Sequence, residues 1–179
     1  GADVIVLCDM NGGTMPGELK AAVQASLAAV DKKLGIHAHN DTDLAVANSM
    51  AAVQMGVCHV QGTLLGYGER SGNARLSSII PNLQLKMGYD CIGDQIKSLY
   101  AVAREAAEIT NLAFDETLPY VGRNAFAHKG GMHIDGLRKA KGSFEHIDPS
   151  FVGNSREFLL SEVAGKSAMA EKLKDIFPD

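Results

Sequence analysis

The stretch Gly35-Ile36-His37-Ala38-His39-Asn40-Asp41 decides how the rest of the chain is read. Small or apolar residues surround its histidines, as in a short buried strand. Side chains alternate faces along a strand, so His37 and His39 point one way and Ala38 the other. Neutral imidazoles side by side form a chelating pair that suits Zn, Fe, Co or Ni, and Mn when oxygen ligands join them. The same pair also fits polar residues at a strand end, each satisfied by a local hydrogen bond.

Working outward, Asp41, Thr42 or Asp43 can cap a helix that runs to about Met55, and Gly56 stops it. Cys58 to Thr63 reads as another short strand, with Cys58 and His59 in the core. It opens into the glycine-rich loop Leu64-Leu65-Gly66-Tyr67-Gly68-Glu69-Arg70-Ser71-Gly72-Asn73. That loop is G-x-G-x-x-x-G, one residue off the dinucleotide-binding fingerprint, which argues against a nucleotide site. Upstream, Val4 to Cys8 is an apolar run typical of a parallel strand buried on both faces. A strand of that kind needs a neighbour on each side, so a chain opening with one reads as cut from something larger. Thr14 can cap the next helix, with Pro16 near its first position and Glu18 in its first turn. Leu19, Val23, Leu27 and Val30 form its apolar stripe, and Lys32, Lys33 and Gly35 close it. Ala74 to about Met87 reads as a third helix. The order is βαβαβα, an α/β pattern with its ligand-type residues at the carboxyl end of a strand, where parallel sheets carry their sites.

The 179 residues are 46% hydrophobic with net charge −4, an ordinary globular composition large enough for a good core. No basic patch suggests nucleic acid, no apolar run suggests a membrane span, and no signal peptide is visible. Cys8, Cys58 and Cys91 lack C-x-x-C spacing and sit in apolar contexts. They read as free, buried thiols in a reducing compartment. After Gly88 the character changes. Gln95 to Thr110 has helical periodicity, Thr117 to Asn124 is loop-like, and a histidine- and glycine-rich segment follows.

His-x-His-Asn-Asp, then Gly62-Thr63, then Gly-x-Gly-Glu-Arg-x-Gly-Asn resembles the metal-dependent acyl-CoA condensing enzymes. These are the 2-isopropylmalate, homocitrate and citramalate synthases, in the superfamily that also holds the HMG-CoA lyases. Asp-x-Asn-Gly-Gly at 9–13, the run Asn124 to His133 and Glu145-His146-Ile147-Asp148-Pro149 extend the resemblance over nearly the whole chain, nearest to the citramalate branch. The resemblance implies a TIM (β/α)8 barrel, which needs about 250 residues. Residues 1–90 would be its last three βα units and 91–179 an α-rich linker region after it.

The resemblance also implies chemistry: condensation of acetyl-CoA with a 2-oxo acid, pyruvate first, then thioester hydrolysis. The setting would be a cytoplasmic homodimer in branched-chain amino-acid (isoleucine) biosynthesis. A divalent ion (Mg, Mn or Zn) would be held by His37, His39 and Asn73, with an Asp that lies outside this chain. His133 is the expected base or proton shuttle, with His128 second and Glu69 helping to organise the site. Asp9, Asn40 and Arg70 are expected at the substrate; Glu69 and Arg70 could instead help organise the site or pair with each other, and Asn40 and Asp41 could support the histidines from behind or serve only as the helix cap. There are departures from the family pattern: Met10 stands where a Thr is usual, and Phe144 where a Tyr is usual. Both remove a hydroxyl. The competing readings are a sister synthase with another 2-oxo acid, a lyase running the reverse cleavage, and a non-catalytic homologue with a binding or assembly role. Alone, these 179 residues are expected to be inactive and prone to associate through open sheet edges.

Overall fold

Val4–Asp9 (β1), Lys33–Ala38 (β2) and His59–Gln61 (β3) form a parallel sheet in the order β1-β2-β3. This is seen in a computed structural model that describes residues 1–129, 136, 140 and 144–159. Pro16–Ala29 (α1) connects β1 to β2, and Ala45–Gln54 (α2) connects β2 to β3. Cys8 lies beside His37 and His37 beside Gln61, so the strands end together and their following loops gather at one end.

Only β2 has a neighbour on each side among the described residues. Leu34 and Ile36 on it are 1% exposed, packed with Leu19 and Val23 of α1, Ala52 of α2 and Val57. Nearer the carboxyl end, Ala38 and Ala45 pack with Ala74, Ile79 and Leu83. Gly35 lets the strands approach: a Cβ there would lie 3.0 Å from Val6 Cγ2 and 3.2 Å from the His59 carbonyl oxygen.

Several expectations need correcting. Lys33 and Gly35 belong to β2, not to the end of α1, because pairing with β1 begins at Lys33. The α1 cap is Met15, not Thr14; Glu18 accepts its backbone N–H at 2.9 Å. Leu19 and Val23 are buried, whereas Leu27 is 41% exposed. Leu44 is the α2 cap residue, and the side chain of Asn40 accepts the Ala45 N–H at 3.1 Å instead of Asp41, Thr42 or Asp43 capping the helix. The third helix is split. Leu76–Pro81 (α3) gives way to a wider π turn over Asn82–Lys86, since Pro81 lacks the N–H that would continue the regular ladder. β1 is only half-buried, and Cys8, Cys58, His59 and Cys91 are exposed. Cys8 and His59 lie on strands with a described neighbour on one side only, and Cys58 just precedes such a strand. The cysteines are free, as expected.

The chain divides into compact units, Gly1–Ile92 and Gly93 onward. In the second, a 3-10 segment Gly93–Ser98 leads into Leu99–Thr110 (α4), which ends on Asn111 in the left-handed conformation that Asn tolerates well. Leu99, Ala103 and Ala107 are its buried stripe. Glu116 accepts both hydrogen bonds from one Arg104 nitrogen, at 3.1 and 3.2 Å, and the Arg123 N–H at 3.2 Å. Ala127–His128 (β4) and Glu157–Phe158 (β5) form a short parallel pair that periodicity does not reveal. His133, the basic run after it and the tail from Leu160 lie outside the described residues.

Truncating Ile36 to Ala at the centre of the sheet should lower unfolding stability by about 2–5 kcal/mol. Leu27→Ala on the exposed side of α1 should change it by less than about 0.5 kcal/mol. Urea denaturation of each variant checks the pair, and equal losses would contradict the core described above.

Candidate functional site

The parallel register puts Asp9, the last residue of β1, at the same end of the sheet as His39 and Gly62, which open the loops after β2 and β3. The ring centroids of His37 and His39 lie 5.3 Å apart at 73°. His39 is 6% exposed and its backbone N–H donates to the Asp9 carbonyl at 3.1 Å. Across from it, His39 and Asn73 form an isolated antiparallel bridge. The Asn73 side-chain nitrogen donates to the Tyr67 carbonyl at 2.9 Å, which fixes the orientation of the amide.

Among the described residues, that arrangement leaves buried atoms without hydrogen-bond partners: Nδ1 of His39 and Oδ1 of Asn73. A buried unsatisfied polar atom costs about 1–3 kcal/mol unless something fills it. Both can present a lone pair, and a second imidazole stands beside them. The chemistry of this donor set fits a borderline divalent ion. It lacks a carboxylate, and no cluster of three His, Cys, Asp or Glu side chains occurs among the described residues.

The glycines of the loop after β3 have identifiable tasks. A Cβ on Gly68 would sit 2.0 Å from the Asn73 side-chain nitrogen, and one on Gly72 2.0 Å from the Gly66 carbonyl oxygen. Arg70 itself lies at φ 54°, uncommon for a side-chain-bearing residue. Its Nε and Nη2 donate to the two carboxylate oxygens of Asp41 at 2.9 and 3.2 Å, and Nη2 also donates to the Met10 carbonyl at 2.7 Å. Hydrogen bonding to Arg70 holds the Asp41 carboxyl below its usual range.

The other expected site residues are placed as follows. Asp9 accepts the N–H groups of Gly12 and Thr14 at 3.1 and 3.3 Å. Asn40 caps α2 and donates to Asp43 at 3.1 Å. Glu69 is 82% exposed and lies 3.6 Å from Arg70, so the tighter partner of Arg70 is Asp41. The Met10 side chain is exposed. His128 belongs to the second unit and is buried. Its Nε2 lies 2.9 Å from Glu145 Oε1. Arg156 Nε donates to the same oxygen at 2.6 Å, and Arg156 Nη2 also donates to Glu145. Burial pushes the Glu145 carboxyl upward, but the bonds from Arg156 and His128 outweigh it and keep the group below its usual range. Sequence reasoning missed this cluster and the Asp41–Arg70 pair; opposite charges in loops at one end of the sheet were the available signal for the latter.

The HMGL-like family matches residues 1–106, and the homocitrate synthase post-HMGL domain matches 120–177. The chain belongs to the HMGL-like family. It is 49% identical over 177 residues to an (R)-citramalate synthase of Aquifex aeolicus, covering 98% of this chain and 34% of that one. It is 37% identical to a probable 2-isopropylmalate synthase of Methanopyrus kandleri, covering 98% of this chain and 35% of that one. Among solved structures, an HMG-CoA lyase of Bacillus subtilis superposes with a TM-score of 0.57 at 25% identity, over 64% of this chain and 40% of that one. The HMGL-like family accounts for the parallel α/β layout. The chain spans about a third of the length of the curated relatives it matches. No helix among the described residues is long and apolar enough to cross a membrane.

The lowered Glu145 carboxyl sets a sign for acid stability. Its folded-state value lies below the unfolded one, so its contribution is present above the ordinary carboxylate range and is lost as pH falls through the folded value. Glu145→Gln should cost about 1–3 kcal/mol near neutral pH and flatten the acid limb of the stability curve. Denaturant unfolding from neutral pH down to about pH 3 checks this, and an unchanged acid limb would count against it.

Proposed function

We infer that this chain is part of an acyltransferase that condenses acetyl-CoA with a 2-oxo acid, pyruvate in the first instance, to give citramalate. The observation that carries the inference is that His39 Nδ1 and Asn73 Oδ1 are both buried and unsatisfied among the described residues, on two bridged residues, with the His37 ring beside that of His39. Similarity to citramalate synthases over 98% of the chain supports the choice of substrate class. The relative named as a probable 2-isopropylmalate synthase supports a larger 2-oxo acid as the second reading. In this view residues 1–90 are the last three units of a (β/α)8 barrel and 91–179 a linker region. The HMGL-like match runs past that division to residue 106, and the post-HMGL match covers 120–177. The proposed setting remains a homodimer in the cytoplasm, serving isoleucine synthesis.

His37, His39 and Asn73 would hold the divalent ion, with a carboxylate from outside these residues. When bound, that ion would supply a Lewis acid for the ketone oxygen of the 2-oxo acid. A neutral histidine is suited to remove a proton from the acetyl methyl near pH 7. His133 is proposed for this, with His128, held by Glu145, as second candidate. The resulting carbanion adds to the ketone carbon as the C=O π bond opens, the oxygen so formed takes up a proton, and water then cleaves the thioester C–S bond to give the carboxylic acid and the CoA thiol. Glu69 presents an exposed carboxylate in the loop beside Arg70. Asp9 shapes the loop after β1 through its backbone contacts.

Thiol release from acetyl-CoA by the full-length protein carrying these residues tests the proposal. Pyruvate, 2-oxoisovalerate and 2-oxoglutarate would be compared with Mg2+, Mn2+ or Zn2+. Release with pyruvate is expected, and His39→Ala should reduce it by about 100-fold or more. Preference for another acid would select the sister synthase. No release from folded, metal-loaded protein would favour a binding or assembly role, to which exposed Met10 and Phe144 would then belong.

A further inference from the structure

The loop after β2 and the end of the loop after β3 run past each other in opposite directions, fastened at successive points. The Ala74 N–H donates to the Ala38 carbonyl at 2.9 Å. His39 and Asn73 form the bridge at the next position. The Asn40 N–H then donates to the Gly72 carbonyl at 3.0 Å. The outermost fastening is made by side chains, Arg70 to Asp41 at 2.9 and 3.2 Å. Backbone bonds inside this ladder have the sheet behind them. Among the described residues, its outer end is closed by the guanidinium alone.

Arg70 does more than close that end. The nitrogen that bonds Asp41 also donates to the Met10 carbonyl at 2.7 Å, so one guanidinium reaches the loops after all three strands. The loop after β1 is fitted to receive it. Thr42 donates its N–H and hydroxyl to the Gly12 carbonyl at 3.1 and 2.7 Å. A Cβ on Gly12 would sit 2.3 Å from Asp41 Oδ2. A planar fork with fixed donor directions can satisfy a carboxylate and a carbonyl together; a single ammonium cannot reproduce that geometry.

We propose that Arg70 is the positioning residue of this site: through Asp41 and the Met10 carbonyl it closes the ladder whose middle rung sets His39 opposite Asn73. The proposal rests on the reading of His39 and Asn73 as metal-holding groups only for its functional consequence; the geometry it assigns to Arg70 can be tested without metal. Arg70 touches no reacting atom in this role. It differs from a substrate-binding arginine, whose loss would leave His39 and Asn73 undisturbed. It also differs from a general stabilising ion pair, because half-exposed pairs contribute little to global stability.

The test uses NMR on the metal-free full-length protein carrying these residues, reading the Asn73 side-chain amide, the His39 ring and exchange of the Asn40 and Ala74 amides. In Arg70→Gln, exchange at Asn40 should rise by about tenfold or more and less at Ala74, nearer the sheet. The Asn73 and His39 signals should shift or broaden. The methyl signals of Val23 and Leu34 should stay, showing that the core is intact. Arg70→Lys should restore these signals only in part, and it serves as the second variant if Arg70→Gln does not fold. A parallel Mn2+ titration followed by electron paramagnetic resonance should give about tenfold weaker binding in Arg70→Gln. Unmoved Asn73 and His39 signals in a folded variant would overturn the proposal, as would disturbed signals with unchanged Mn2+ affinity. If the parent chain binds no Mn2+, that result counts against the metal reading, and the NMR signals alone decide the role of Arg70.

Discussion

Burial of β2 between two parallel neighbours is the constraint on which the rest of the first unit depends. Leu34 and Ile36 are almost wholly removed from water. A one-residue slip in pairing would turn each of them away from its packing partners. The register is therefore fixed by apolar packing, and the polar end inherits it. His37 lies beside Cys8 and Gln61 because Ile36 lies beside Leu7 and Val60. The tight fit at Gly35, between Val6 and His59, belongs to the same constraint. Chemistry at the loop end is thus positioned by residues that take no part in it.

Unsatisfied buried atoms do not by themselves identify a site. Asn48 Oδ1, Arg75 Nε and the hydroxyls of Ser77 and Ser78 are also buried without partners. His39 Nδ1 and Asn73 Oδ1 differ in company: their residues are bridged, and a second imidazole lies 5.3 Å away, centroid to centroid. A hydroxyl proton can rotate toward a weak acceptor, whereas the Asn73 amide cannot turn without breaking its bond to Tyr67. The Asn48 amide is held likewise, by its bond to the Thr14 carbonyl at 2.8 Å, so it is the bridge to a histidine with a second imidazole beside it that separates the candidate site from the other orphaned atoms.

What could be read from sequence follows from range. Strand alternation brought His37 and His39 to one face, and helix-length connections between apolar runs gave the parallel order. These depend on neighbours a few residues apart. The Asp41–Arg70 pair spans 29 residues and the Arg156–Glu145 pair 11, and neither periodicity nor propensity joins such partners. The exposure of Cys58 and His59 is not legible in the sequence for a related reason. An apolar context marks a strand, but burial also needs a second neighbour, which β3 lacks among the described residues. Helix caps are legible only in part: Asn40, one of the candidate caps, accepts the Ala45 N–H, whereas at α1 the capping bond falls to Glu18 and not to Thr14.

The arginine–carboxylate pairs of the two units show why similar chemistry can serve different ends. The Glu145 side chain is 4% exposed and bonded by Arg156 and His128. Removing either donor leaves a charge or polar group in a place where water cannot compensate, so that pair is tied to the stability of its own unit. The Arg70 side chain is 46% exposed and that of Asp41 23%. Water can replace either partner there, so the net contribution to folding is small. Yet Arg70 carries the more demanding geometry, a fork shared between a carboxylate and a backbone carbonyl, with its own backbone at positive φ. An exposed pair that contributes little to stability, held in an uncommon backbone conformation, is better explained by what it aligns than by what it stabilises.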